Sequence, residues 1–136
     1  MSTLLAHVTI KAGLEDHWES IAKRVFLSTH ENEKGCNRYE YWRGSEDRTY
    51  YVLLSFDSFD DFMIHQVADY HHNTDFRDCF ESFKLEWVDP ISGASPLKES
   101  DTSGVIDNDK DDLWNQYVKN HSNETPKWWF EQRAKR

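Results

Sequence analysis

The sequence is short of cysteine, of basic residues and of long apolar runs. Its two cysteines, Cys36 and Cys79, among 136 residues do not amount to a disulfide framework. No apolar run approaches the roughly 18 residues of a membrane span. Residues 1–11 lack the basic-then-apolar layout of a signal peptide. Lys and Arg number 16 against 25 Asp and Glu, for a formal net charge of −9. Nucleic-acid binding wants a basic face that displaces counterions, so this balance argues against it. These absences predict a soluble acidic protein, cytoplasmic, with neither nucleic acid nor membrane as a partner.

Rings are plentiful. Six Trp, six Tyr and eight Phe make 15% of the chain aromatic, against 38% hydrophobic and 30% charged overall. That is too many large rings for a disordered acidic chain. It is enough for one core at this length, but not for two full domains. The charge is unevenly placed, with 9 basic and 17 acidic residues in 1–92 and 7 and 8 in 93–136. The apolar pattern breaks near the same point, at a turn-rich stretch over residues 89–96. We therefore divide the chain into a folded unit over residues 1–91 and a region 92–136 made of a linker and a C-terminal helical extension.

Within the first unit the hydrophobic period alternates between two and 3.6. Residues 4–10 predict a strand. Leu14, Trp18, Ile21, Ala22 and Val25 fall on one helix face. Residues 36–43 and 49–56 predict a hairpin around Gly44–Asp47. Ser58 and Asp61 form a capping box at the start of a second helix that buries Phe59, Phe62 and Met63. Phe76, Phe80 and Phe83 predict a further helical stretch, and residues 84–88 a last strand. The order β-α-β-β-α-β predicts an α+β, ferredoxin-like antiparallel sheet with a C-terminal helical tail. Both helices on one face leave the other face bare, and the simplest cover is a second copy of the chain. In the tail, Leu113, Trp114, Tyr117 and Val118 have helical spacing. Thr125 and Pro126 suggest a cap and first-turn proline for a short helix whose Trp128, Trp129 and Phe130 dock on the domain or on a partner subunit.

The densest chemistry is His65, His71 and His72. On one continuous helix His65 and His72 share a face; if the helix breaks at Asp69, His71 turns inward. Neutral imidazole accepts a proton from a phenol or an acidic C–H, so these histidines are catalytic-base candidates. The alternative is a helix-end pair that is solvated or bonded to carbonyls. No H-E-x-x-H or paired C-x-x-C supports a metal site, and none is assigned. His7, in the first strand, is a substrate-binding candidate if alternation places it under the helices, and otherwise a core or interface residue. His17, His30 and His121 read as surface positions. Tyr39, Tyr41, Trp42 and Tyr51 can line a slot for a flat ring, or serve sheet packing and subunit contact. Arg38 and Arg43 suit a substrate oxyanion or pairing with nearby acids equally well. Asp107 to Asp111 opens like a calcium loop but has Asp112 and Val118 where glycine and glutamate belong, so it reads as a solvated linker.

Gly35-Cys36-Asn37-Arg38-Tyr39-Glu40, the segment from Tyr51 to Phe62 with its Ser-Phe-Asp-Asp-Phe start, and the histidines from His65 to His72 resemble the antibiotic biosynthesis monooxygenase domain family. The resemblance spans residues 4–88. It implies a dimeric α/β-barrel assembly of two ferredoxin-like units. It further implies oxygenation of an electron-rich aromatic such as a quinol or phenol, using dioxygen and no cofactor. A histidine base removes a proton, the anion reduces dioxygen, and the radicals recombine in a dry pocket. His65 matches the family's helix histidine, and His71 or His72 the one that follows. The haem-degrading branch uses an Asn, Trp and His set; with His7 at the first-strand position and no Trp over residues 58–83, that activity is not expected. The same scaffold also suits a non-catalytic ligand-binding dimer, or an isomerase, lyase or cyclase.

Overall fold

Alternation at the start of the chain builds the sheet. The computed structural model describes residues 1–135. In β1 (Ser2–Ile10), Leu4, Ala6, Val8 and Ile10 are buried while Leu5, His7 and Thr9 are partly exposed. That is the period-two pattern of a strand with one covered face. β1 pairs antiparallel with β3 (Thr49–Phe56) on one side and with β4 (Phe80–Trp87) on the other. β2 (Cys36–Arg43) adds to β3, for the order β2-β3-β1-β4. The fold is the α+β, ferredoxin-like arrangement expected.

Helix α1 (Glu15–Asn32) lays Trp18, Ile21, Ala22, Val25 and Thr29 on the covered face. Helix α2 (Phe59–Val67) adds Phe59, Phe62, Met63, His65 and Gln66. The Ser58 cap differs in detail from a reciprocal box. Its hydroxyl accepts from the Asp61 amide at 3.1 Å, but the Asp61 carboxylate takes the hydroxyl proton at 2.6 Å rather than a backbone amide. Ala68, at φ −57° and ψ 134°, interrupts the helix before a short turn, α3 (Asp69–His72).

The helical stretch expected through Phe76, Phe80 and Phe83 is absent. A single 3₁₀ turn spans Phe76–Cys79, and Phe80 and Phe83 belong to β4. A register shift between Thr9 and Ile10 pairs Phe83 with Val8 but Phe80 with Ile10. This irregularity lets two rings three residues apart stack at 4.9 Å on one sheet face, where regular strand geometry would separate them.

Residues beyond β4 run back over the domain. Ser100 and Thr102 are buried. The Ser100 hydroxyl donates to the Val88 carbonyl and accepts from the Thr3 amide. Helix α4 (Asp112–His121), capped by the Asp111 carboxylate, places Trp114, Tyr117 and Val118 in the same core as β1. Helix α5 (Lys127–Arg133) has Pro126 itself at the cap position, while the Thr125 hydroxyl meets that of Thr102. Trp129 docks against the domain; Trp128 and Phe130 remain exposed. Arg133 clamps Asp89 with two hydrogen bonds.

Among the described residues, α1, α2 and α4 pack on the face of Leu4, Ala6 and Val8 and leave the other face of the sheet without them. Strand register places Thr3, Leu5, His7, Leu53, Tyr51, Glu40, Trp42 and Glu86 there.

Candidate functional site

A cavity of about 590 Å³ lies between the covered face of the sheet and α4, within the range of small-molecule sites. The sheet supplies Tyr39, Tyr41, Val52, Leu54 and Leu85, and Trp18 and Phe80 close one end. His71, His72 and Gln66 come from the broken α2–α3 segment, and Tyr117 and His121 from α4. A second groove of about 500 Å³ between α1 and β2 contains no histidine and is crossed by the Arg43–Glu19 ion pair.

The structure brings together some of the sequence candidates and separates others. Tyr39 and Tyr41 line the cavity, with their hydroxyls 2.5 Å apart. Burial pushes both phenols up, so they stay protonated. Tyr51, Trp42 and His7 do not reach it. They stand on the bare sheet face, where His7 bonds Glu86 at 2.7 Å and packs edge-on against Tyr51. Alternation fixes that these side chains share a face, and the helices cover the other one. Arg38 and Arg43 are taken up by Glu40 and Glu19.

Of the helix histidines, His71 and His72 reach the cavity and His65 does not. His65 is 0% exposed and backs His71, ring centroids 4.3 Å apart. The break at Ala68 turns His71 inward in front of it. His65 Nδ1 lies 3.0 and 3.1 Å from the two carboxylate oxygens of Glu33, and the Tyr70 hydroxyl donates to the same carboxylate at 2.5 Å. Burial pushes Glu33 up to about 7, against the pull of the Tyr70 hydrogen bond. Burial also holds His65 down at about 3. We therefore read the ring as neutral, its Nδ1–H donating to Glu33. Its Nε2 is sealed without a partner among the described residues.

His71 is 8% exposed. Its Nδ1–H donates to the Gln66 carbonyl at 3.4 Å, which leaves Nε2 as the acceptor. That atom has no partner among the described residues and, unlike His65 Nε2, is not sealed. Burial and then the neighbouring His65 push His71 well below its ordinary value, so it is neutral at physiological pH.

Sequence reasoning found the α4 helix but did not name its side chains as a wall of the site, and it missed the buried acid behind His65. The Tyr117 hydroxyl accepts from Arg77 at 3.2 Å and shares a hydrogen bond with His72 Nδ1 at 2.6 Å. His121, read as a surface position, instead accepts from the Gln66 amide at 2.8 Å, stacks on Tyr117 and is held by burial at about 4. The usable signal was the helical spacing of Trp114, Tyr117 and His121. For Glu33, at the C-terminal end of α1, no sequence signal exists. Among the described residues, no three His, Cys, Asp or Glu side chains converge as a metal site.

Comparison with known proteins bears on the fold and the family. The family model for antibiotic biosynthesis monooxygenases matches residues 1–75. No curated protein matches the chain in sequence. A protein described as a candidate antibiotic biosynthesis monooxygenase from Caulobacter crescentus has the same fold, with TM-score 0.62 and 20% identity over 66% of this chain and 89% of that one. A similarly described protein from Bacteroides thetaiotaomicron gives 0.60 and 13% over 71% and 94%. A conserved protein of unknown function from the same organism, noted as a possible oxidoreductase, gives 0.58 and 15% over 63% and 93%.

Proposed function

Because this chain belongs to the antibiotic biosynthesis monooxygenase family, we propose that it is a small oxygenase, independent of a cofactor, acting in the cavity under α4. Its substrate is a phenolic, quinol-like or other electron-rich aromatic compound. Nε2 of His71 takes a proton from the substrate, and the anion gives one electron to dioxygen. The radical pair joins as a peroxide on a ring carbon. The proton held by His71 returns to the peroxide; the ring carbon then loses its one hydrogen as a proton, the O–O bond breaks and the outer oxygen leaves as water. One oxygen atom remains in the product as a carbonyl and the other leaves in water, so the substrate supplies every electron. The cavity contributes orientation and exclusion of water.

The observation that carries this reading is the unpartnered, unsealed Nε2 of His71 on the wall of a ring-lined cavity. A second reading, a ligand-binding module without chemistry, is favoured by how far burial weakens His71 as a base. Oxygen uptake with a panel of hydroquinones and naphthols under ¹⁸O₂ separates the two. The expected result is one labelled atom in the product for each dioxygen consumed. Tight binding with no oxygen consumption overturns the oxygenase reading in favour of the module.

The bare sheet face supports a homodimer, the assembly expected from the sequence. Trp42 is 59% and Tyr51 38% exposed there, next to Leu5 and Leu53, and an apolar patch of this kind marks an interface. The double variant Trp42→Glu, Tyr51→Glu is expected to halve the mass measured by light scattering while the circular dichroism stays unchanged. A parent protein that is already monomeric at micromolar concentration would sink the dimer.

A further inference from the structure

The cavity wall is unlike the rest of this acidic protein. The chain has 25 Asp and Glu, yet among the described residues none lines the cavity. Its wall carries instead one permanent cation, Arg77, together with His71, His72 and His121. Arg77 stands at the exposed rim, its guanidinium over the Phe76 ring at 4.4 Å. Nη1 donates to the His72 carbonyl at 3.4 Å and Nη2 to the Tyr117 hydroxyl at 3.2 Å.

A guanidinium has five N–H donors, and these two contacts leave three free. Arg38, Arg43, Arg48 and Arg133 are each paired with a carboxylate. Arg77 has no such partner among the described residues. Its charge acts inward, being one of the causes that push His71 and His121 down. The α4 partner of Arg77 is a hydroxyl and not a carboxylate, so α4 orients the guanidinium without neutralising it.

We propose that the cavity takes an aromatic ligand bearing a carboxylate, with the ring against Tyr41 and Phe80 and the carboxylate on the fork of Arg77. This rests on the reading of the cavity as the ligand site. A carboxylate fits better than a phosphate dianion, because the planar fork matches it and the three neighbouring imidazoles offer no second fixed charge. Arg77 and Tyr117 both lie outside residues 1–75, where the family model matches.

The test is an anaerobic fluorescence titration with 2-naphthoate and, as its uncharged counterpart, 2-naphthalenemethanol. The wild-type protein is expected to bind the naphthoate at least tenfold more tightly. Arg77→Gln is expected to bring the two within about twofold while leaving the affinity for the alcohol unchanged, and Arg77→Lys to keep part of the preference. Equal affinities in the wild type, or a preference that survives in Arg77→Gln, overturn the proposal and leave oxygenation standing. Binding of neither probe overturns the proposal and the cavity as ligand site together. Selective naphthoate binding without oxygen uptake from any phenolic substrate upholds the proposal and removes only the oxygenase chemistry.

Discussion

Replacing His71 with asparagine is expected to lower turnover about 100-fold or more, the usual contribution of a positioned general base. Asparagine is the informative choice. Its amide N–H can replace the Nδ1–H that donates to the Gln66 carbonyl, so the local backbone keeps its partner while the basic nitrogen disappears. Alanine removes the same nitrogen but also the ring packed on His65 and Phe76, and opens a hole beside both. That hole is useful, because added imidazole should restore part of the lost rate in His71→Ala and none in His71→Asn. Rescue is a response that a merely structural role would not give. The measurement is kcat by oxygen uptake, with thermal melts to show that both variants fold. A loss smaller than tenfold in the asparagine variant would remove His71 as the base.

Stability should fall steeply as the pH drops from 6.5 to 4.5, by about 3 kcal/mol per pH unit. Burial holds His65 near 3 and His121 near 4, and His71 well below its ordinary value. All three are therefore neutral in the folded protein across this window, while in the unfolded chain each binds a proton near pH 6.5. Glu33 opposes them. Raised to about 7, it is protonated in the folded state at pH values where the unfolded chain has already released that proton. The unfolded state thus binds three more protons on histidine and one fewer on Glu33, a net uptake of about two. Glu19, Asp75 and Glu86 are all lowered, so their effect falls below this window. A loss of this size over two pH units is enough to unfold a domain of ordinary stability. Glu33→Gln removes the opposing proton and should steepen the slope to about 4 kcal/mol per pH unit. Denaturant titrations at pH 4.5, 5.5 and 6.5 measure both slopes. A flat profile in the wild type would mean that these histidines are not buried neutral in solution.

Much of the fold was legible because periods of two and 3.6 are local. Leu4 to Ile10 and Trp18 to Val25 announce their elements without help from the rest of the chain. Phe76, Phe80 and Phe83 misled because their helical spacing is produced by a register shift in the sheet, which only the partner strand makes visible. The site was half legible. The cluster from His65 to His72 concentrates titratable rings on one segment, but which ring faces the ligand depends on the break at Ala68. His7 was placed on the right strand but its face was left open, because alternation distinguishes two faces and does not say which one the helices take; the structure puts it on the uncovered one. Glu33, Arg77 and Tyr117 join the histidines only through pairings between distant parts of the chain; helical spacing marks Tyr117 as part of a helix face, and no local pattern marks Glu33 or Arg77.

The central position of β1 carries a consequence for how the molecule assembles. The first strand in the chain is hydrogen-bonded on both edges to strands that come much later. The binding wall adds further long loops, with Gln66–His121, His72–Tyr117 and Arg77–Tyr117 separated by 55, 45 and 40 residues. Such high contact order places folding in milliseconds to seconds rather than microseconds. The residues of α4 follow every strand in sequence, so a chain refolding from denaturant can complete its sheet before the helix arrives to close the cavity. Ligand binding is then the last native property to return.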